Sequence, residues 1–148
     1  MKIGNLLVNT AYLGSKVLTA IAVGATKLWE AVKYIVFKDP VVEQICATNW
    51  GDGERITPEQ AAKVTNIGTV FKGNTDIITF PEFAYFTGIT KTPYYGFQSC
   101  SNITSIVIPN SVSVIDTGTF HKCTNLRDIT IPSSVKKVGG NAFQNCII

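Results

Sequence analysis

The sequence predicts a mainly β fold with short helices, in which the C-terminal part of the chain winds into a solenoid of stacked 23-residue coils. Two observations predict it. The pattern F-x-x-C occurs at residues 97–100, 120–123 and 143–146, each time 23 residues further along the chain. The apolar positions between these patterns recur at the same interval, whereas the polar positions vary. A fixed period of about 20–30 residues with a recurring apolar set is the signature of a solenoid.

Residues 1–37 are predicted to form a β-rich anchoring arm. The segments "YLGSKVL" and "AVGATKL" lie ten residues apart, and each contains a glycine that can begin a turn between alternating runs. A helix is the alternative after residue 26, because Leu28, Val32 and Ile35 then share one face. Since a segment of fewer than about 40 residues buries little surface alone, we expect the arm to add strands to a partner or to copies of itself.

The same arm is the most apolar part of the chain, as a signal peptide or a membrane span would be. Its longest uncharged run, Ile3–Ser15, is too short to span a bilayer. Lys16 interrupts the apolar centre that a signal peptide requires. We therefore expect no membrane span, and a signal peptide fits the sequence poorly.

Residues 38–66 are predicted to form two short helices that act as a spacer and cap. Asp39 precedes Pro40, which is the arrangement of an N-cap followed by proline in the first helical turn. Thr57 begins a T-x-x-Q capping box that ends at Gln60. The helices are expected to start at these two caps.

The segment between the helices, "NWGDGERITPEQ", has some features of a calcium loop. Asp52, Glu54 and Glu59 are acidic, but the leading acids of such a loop are missing. Calcium takes about six to eight oxygen ligands. We therefore interpret residues 49–60 as a glycine-rich turn, with calcium binding left open as the alternative.

Residues 67–148 are predicted to be the solenoid. "ITSIVI" at 103–108 and "LRDITI" at 126–131 fit L-x-x-L-x-L, the strand portion of a leucine-rich repeat. A degenerate earlier coil contains Phe71 and has Asn74 at the cysteine position, 26 residues before the next coil. The predicted interior of the stack consists of Phe97, Cys100, Phe120, Cys123, Phe143 and Cys146.

The cysteines are expected to be structural. Equivalent positions in stacked coils lie about 4.8 Å apart, and cysteine in such a site behaves as a small buried hydrophobe. Parallel stacked Cβ vectors do not favour a disulfide. The chain has no C-x-x-C pair and a single histidine, so the sequence predicts no zinc site and no cofactor, and calcium at residues 49–60 stays the one metal alternative.

The segment "IPNSVSVIDTGTFHKCTNLRDITIPSSVKKVGGNAFQNC" resembles the BspA-type leucine-rich repeat. The resemblance is close over 97–146 and looser over 64–96, and it departs at Asp116 and Thr119, where the family prefers glycine and alanine. It implies a non-enzymatic repeat domain of the kind found in bacterial surface adhesins and in proteins of phages that infect gut bacteria. The pattern "IGN…AYLGSKV…GATKLWEA" also resembles the short N-terminal module of tail and other structural proteins of gut phages.

Catalysis and nucleic-acid binding are not expected. His121 lies next to Phe120, at a position that is glutamine in the other coils, which indicates a surface residue. Cys123 is close to it in sequence, but a Cys–His nucleophile needs a third partner and a pocket. The net charge is only +3 and the basic residues are scattered, so the chain lacks the basic patch of a nucleic-acid-binding protein.

Two surfaces are candidates for partner binding. The first comprises outward positions of the predicted strands, and the second an aromatic group in the degenerate coil that could anchor a partner. The alternative for the aromatic group is a cap that packs on the helices. The strand positions are Ser105, Val107, Asp128 and Thr130, and the aromatic group is Tyr85, Tyr94 and Tyr95.

These observations lead to two functional hypotheses. The first is a phage virion structural protein, anchored by its arm to other virion proteins or copies of itself, that displays the repeats for capsid or tail decoration or for binding a host-surface protein or glycan. The second is a bacterial cell-surface or secreted adhesin. A free cytosolic scaffold would leave the apolar arm unexplained. Because Ile148 precedes the next expected strand, we also expect a neighbouring subunit to cover the last coil.

Overall fold

The computed structural model describes the strands of residues 2–3, 6–13, 16–23 and 26–31 and every residue from 34 to 148. The chain divides into two compact units, Met1–Val36 and Phe37–Ile148. Each unit is described by itself below.

The first unit contains a four-stranded antiparallel sheet in the order β1-β2-β3-β4. The β-structure expected for this arm agrees with the sheet. The alternative, a helix after residue 26, is wrong for Thr26–Ala31, which form the last strand of the sheet. The predicted turns at Gly14 and Gly24 lie outside the described residues. The strands are β1 (Lys2–Ile3), β2 (Leu6–Leu13), β3 (Lys16–Val23) and β4 (Thr26–Ala31).

The second unit begins with two helices, α1 (Pro40–Trp50) and α2 (Pro58–Lys63), which start at the predicted caps. The Asp39 carboxylate accepts hydrogen bonds from the first backbone N–H groups of α1. The Thr57 hydroxyl accepts from the Gln60 N–H at 3.1 Å, and the Gln60 side chain accepts from the Thr57 N–H at 2.8 Å. This reciprocal pair is the capping box predicted from the sequence.

The connection between the helices is a turn that its own aspartate stabilises. Asp52 Oδ1 accepts from the backbone N–H groups of Arg55 at 2.6 Å and Glu54 at 2.9 Å. These hydrogen bonds lower the pKa of Asp52, because they favour its charged form. Within the described residues no group of three or more acidic, cysteine or histidine side chains is placed to hold a metal ion. The geometry agrees with a glycine-rich turn over 49–60.

Short parallel strands stack in the rest of the second unit. One sheet has the order β5-β6-β8, in which Thr79 pairs with Ser105 and Ser105 pairs with Asp128. A second sheet joins β7 to β9 and pairs Val114 with Lys137. The elements are β5 (Thr79–Phe80), a 3-10 helix (Pro81–Tyr85), β6 (Ser105–Val107), β7 (Val114–Ile115), β8 (Asp128–Thr130) and β9 (Lys137–Val138).

Four phenylalanine rings, Phe71, Phe97, Phe120 and Phe143, stack in a column through the core. We call them the phenylalanine column. Successive ring centroids lie 5.2, 5.3 and 5.4 Å apart, with interplanar angles of 19°, 12° and 8°. The first three rings are fully buried, and the last is half-buried. The F of each F-x-x-C pattern therefore meets its equivalent in the neighbouring repeat.

The C of each pattern has a polar role as well as a packing role. The thiols of Cys100, Cys123 and Cys146 donate to the carbonyls of Phe71, Phe97 and Phe120 at 2.9, 3.0 and 3.1 Å. We call this series the thiol ladder. All the cysteines are free. Each thiol fills a small interior site and gives a hydrogen bond to a backbone carbonyl of the preceding repeat.

The buried thiols predict a loss of stability at alkaline pH. Burial raises the pKa of Cys100 from its ordinary value of 9.0 to about 12, and burial also raises the pKa of Cys123. A pKa raised by folding gives stability that is present below pH 9 and is lost as the pH rises toward the folded value. We expect the free energy of unfolding to fall between pH 9 and about 12, measured by urea denaturation.

A matched variant separates this effect from other alkaline titrations. Cys100→Ser keeps a donor for the carbonyl, but its hydroxyl does not ionise in this range. The decline of its unfolding free energy above pH 9 should be shallower than in the unmodified protein. Identical slopes would show that Cys100 contributes nothing to the alkaline transition.

A buried pair of threonines explains one departure from the repeat pattern. The backbone of Lys91 pairs with that of Val114 in an isolated parallel β-bridge. Thr92, the next residue, therefore occupies the position in its repeat that Ile115 occupies in the following one. Its hydroxyl hydrogen-bonds to that of Thr119 at 2.8 Å. A buried hydroxyl requires a partner. The Thr92 hydroxyl accepts from the Asp116 N–H at 2.8 Å, and Thr119, where the family prefers alanine, supplies a second partner.

The apolar side chains of the last repeat are less covered than their equivalents in the preceding one. Ile108 is 1% exposed and Ile115 is fully buried, whereas Ile131 is 43% and Val138 51% exposed. The expected cover by a neighbouring subunit stays a prediction.

Candidate binding surface

The outward face of the sheet β5-β6-β8 carries two rows of side chains. The parallel register aligns Thr79, Ser105 and Asp128 in the first row. The second row follows two residues later along each strand, because alternate side chains share a face. It consists of Val107 in β6 and Thr130 in β8, and Pro81, which begins the 3-10 helix after β5, lines the same groove.

These rows line a groove of about 220 Å³, which we call the strand groove. It contains all four strand positions that the sequence predicted as outward-facing. Ser105 and Val107 are half-buried in it, whereas Asp128 and Thr130 are exposed. The lining residues are Lys38, Thr79, Pro81, Ser105, Ile106, Val107, Asp128 and Thr130.

The strand groove has mixed chemistry. The hydroxyls of Thr79 and Ser105 hydrogen-bond to each other at 2.5 Å. Asp128 has no basic side chain within 4.0 Å among residues 34–148, since the ion pair found there joins Lys91 to Asp116. The groove thus offers hydroxyls, an unpaired carboxylate and an apolar wall, and Lys38 adds a cation at its border.

Asp39 joins helix α1 to the groove. Its Oδ1 caps the helix, and its Oδ2 accepts from the backbone N–H groups of Ile78 at 2.6 Å and Thr79 at 3.2 Å. The neighbouring Lys38 donates its backbone N–H to Glu82 Oε1 at 3.1 Å. The segment that brings Lys38 to the groove is therefore held by two buried carboxylates, and Oε2 of Glu82 has no hydrogen-bond partner among residues 34–148.

The three predicted tyrosines do not form one cluster. Tyr94 and Tyr95 are in edge contact with centroids 4.4 Å apart, and the Tyr95 ring lies 6.1 Å from that of His121. Lys72 Nζ lies 5.8 Å from the Tyr95 centroid. Within residues 34–148, no ring contact links Tyr85 to the other two. Tyr94 is 61% and Tyr85 48% exposed.

Tyr95 adopts a backbone conformation that bulky residues rarely take. Its φ is +52°, and the corresponding positions of the next repeats, Gly118 and Asn141, also have positive φ. The Tyr95 ring covers Gly118 so closely that a Cβ there would lie 2.2 Å from the ring. Such strain persists only where surrounding contacts enforce it. The Tyr95 ring is therefore fixed on the next repeat and does not form a cap on the helices.

No catalytic pair forms around the single histidine. His121 Nδ1 lies 3.1 Å from the Gln98 amide nitrogen. The thiol of Cys123 instead donates to the Phe97 carbonyl, and burial raises its pKa, which disfavours the nucleophilic thiolate. The two side chains are engaged separately and do not activate one another.

Sequence reasoning missed four residues of the strand groove: Lys38, Thr79, Pro81 and Ile106. The signal for Thr79 was present, because the 26-residue step from Phe71 to Phe97 also carries Thr79 to Ser105. The same 26-residue step carries Pro81 to Val107. Lys38 had no such signal, since the fold brings it from outside the repeats.

The comparisons with known proteins bear on the repeats. Residues 59–148 match the BspA type leucine rich repeat region, in six copies. No curated protein and no solved structure matches the chain. In the part of the chain that the structure describes, no helix has the length and apolar character needed to cross a membrane.

Proposed function

Because the chain belongs to the BspA-type leucine-rich repeat family, we propose that it is a non-enzymatic binding protein that uses its strand groove for protein–protein interaction or adhesion. The repeats of this family are non-catalytic, and leucine-rich repeats present extended surfaces to partners. The observation that carries the proposal is the convergence of both strand rows on one groove.

The repeats are proposed to form a solenoid with a 23-residue period. Three features support this architecture: the parallel pairing of Ser105 with Asp128, the pairing of Val114 with Lys137 and the phenylalanine column. In such a stack, each outward row presents one side chain per repeat at a regular spacing. A partner can therefore contact several repeats at once, which favours an extended ligand.

Two settings are proposed for this binding activity. In the first, the protein is a structural component of a phage particle, and its N-terminal sheet pairs with other virion proteins or with copies of itself. The strands β1 and β4 are the outer strands of that sheet, and outer strands readily accept a further strand. In the second, it is a bacterial cell-surface or secreted adhesin.

The mature N-terminus distinguishes the two settings. Mass spectrometry of the protein purified from its natural source should find Met1–Lys2–Ile3 intact if it assembles inside a particle. Removal of about 20–25 residues would favour export and the adhesin.

Thr130→Arg tests the strand groove. Arginine at this exposed position places a long cationic side chain in the groove, and we expect at least about tenfold weaker binding, or 1.4 kcal/mol. The measurement is flow cytometry of the fluorescently labelled protein on bacterial and epithelial cells. The matched control is Thr75→Arg, because Thr75 is exposed and lies outside the groove. Equal binding by both variants would contradict the proposal.

A further inference from the structure

A second cavity, shallow and widely open to solvent, lies at the end of the helices, away from the strand groove. Its volume of about 410 Å³ falls within the range of small-ligand sites, roughly 300–1,000 Å³. It shares no lining residue with the strand groove. We call it the helix-end cavity, and it is lined by Trp50, Gln60, Lys63, Val64, Thr65 and Asn66.

The wall of the helix-end cavity contains an immobilised indole. Trp50 is the last residue of α1, and its ring meets Phe86 edge-on with centroids 5.6 Å apart. Phe71 lies 6.3 Å away on the core side. The indole is half-buried against these rings and lines the cavity, so little side-chain freedom remains to be lost on binding.

The polar groups of the helix-end cavity are mainly hydrogen-bond donors. The Gln60 side-chain oxygen is engaged by the Thr57 N–H at 2.8 Å, and the Asn66 side-chain oxygen by the Gly68 N–H at 2.8 Å. Each amide therefore has its NH₂ group left for a ligand. The structure gives neither NH₂ group an acceptor within residues 34–148.

The helix-end cavity also carries one uncompensated positive charge. Lys63 is exposed and has no carboxylate within 4.0 Å among residues 34–148. Glu59, one turn earlier on α2, does not reach that distance, and no lining residue is acidic. An ammonium together with amide donors favours a ligand that brings a carboxylate.

We propose that the helix-end cavity binds an acidic saccharide. A sugar ring stacks on the Trp50 indole, because its C–H groups carry partial positive charge toward the negative face of the ring. Its carboxylate pairs with Lys63. Its hydroxyls accept hydrogen bonds from the side-chain amides of Gln60 and Asn66 and form a further hydrogen bond with the Thr65 hydroxyl. This site goes beyond the function proposed for the strand groove and does not depend on it.

The test is a titration of the full chain, labelled with ¹⁵N in its tryptophans, with glucuronate. The two indole N–H signals belong to Trp29 and Trp50 and are assigned with Trp50→Phe. We expect the Trp50 signal to shift at concentrations up to about 10 mM, enough to nearly saturate a site with a Kd of 1 mM. Glucose should bind at least about tenfold more weakly, because it lacks the carboxylate.

Lys63→Gln is expected to weaken glucuronate binding about tenfold and to leave glucose binding unchanged. Lys122→Gln is the control, since Lys122 is an exposed lysine outside the cavity, and circular dichroism melting checks that both variants fold. Three results would overturn the proposal: no shift of Trp50 with glucuronate, equal binding of glucose, or equal binding of acetate or benzoate. The last result would identify a general anion site with no preference for a sugar.

Discussion

Replacing Phe97 with alanine is expected to lower the free energy of unfolding by about 3–5 kcal/mol. Phe97 is fully buried. Its ring stacks between Phe71 and Phe120, and it makes edge contacts with Phe80 and Phe83 at centroid distances of 6.4 and 5.7 Å. Alanine removes these contacts and leaves a cavity that neighbouring repeats cannot fill, because their rings are fixed by the same stack. Urea denaturation followed by circular dichroism measures the loss.

Phe143→Ala provides the matched comparison within the phenylalanine column. Among the rings of residues 34–148, Phe143 stacks on that of Phe120 only, and it is half-buried. We expect it to lose about half as much stability as Phe97→Ala, since truncation there exposes little new cavity. Equal losses of stability at the two positions would mean that a ring stacked on both faces contributes no more than a ring stacked on one face.

Asp39→Ala is expected to cost about 3–5 kcal/mol, which is large for a polar side chain. The carboxylate accepts four backbone N–H groups, two in the first turn of α1 and two at the start of β5. Asp39 is 4% exposed, so water does not readily replace it as an acceptor. The loss combines a helix cap, about 0.5–2 kcal/mol, with the desolvation of the two strand donors, about 1–3 kcal/mol each.

Two further variants make this prediction specific. Asp39→Asn keeps one acceptor oxygen and should lie between the alanine variant and the unmodified protein. Asp52→Ala also removes an aspartate that accepts two backbone N–H groups, but in an exposed turn. We expect it to cost much less than Asp39→Ala, because water satisfies the freed donors. If Asp52→Ala and Asp39→Ala lowered the free energy of unfolding equally, the hydrogen bonds from the start of β5 to Asp39 would contribute nothing to stability.

Local chemistry made the helix starts and the core positions predictable from the sequence. Asp39 and Thr57 cap helices through their immediate neighbours, so a few residues contain the whole signal. The phenylalanine column and the thiol ladder follow from a repeat interval, which places equivalent residues against each other regardless of the intervening polar residues. The same interval located four of the residues that line the strand groove.

The remaining features depend on contacts between residues that the repeat interval does not relate to one another. Lys38 reaches the strand groove because its N–H binds Glu82 and the neighbouring Asp39 binds the N–H of Ile78. Both hydrogen bonds join residues that are distant in the chain. Tyr85 and Tyr94 belong to the same degenerate coil in the sequence, yet within residues 34–148 no ring contact joins them. The helix-end cavity was missed because Trp50 and Lys63 belong to different helices, and only their packing brings them to one wall.

The thiol ladder has a consequence for where the protein can work. A thiol that is buried and hydrogen-bonded to a carbonyl is poorly accessible to oxidants and exchanges slowly with disulfides. Cys46, Cys100 and Cys123 are all inaccessible to solvent, and only the half-buried Cys146 is open to a small reagent. At Cys46, Cys100 and Cys123 we therefore expect the same reduced covalent structure under cytosolic reductants and in aerated extracellular fluid.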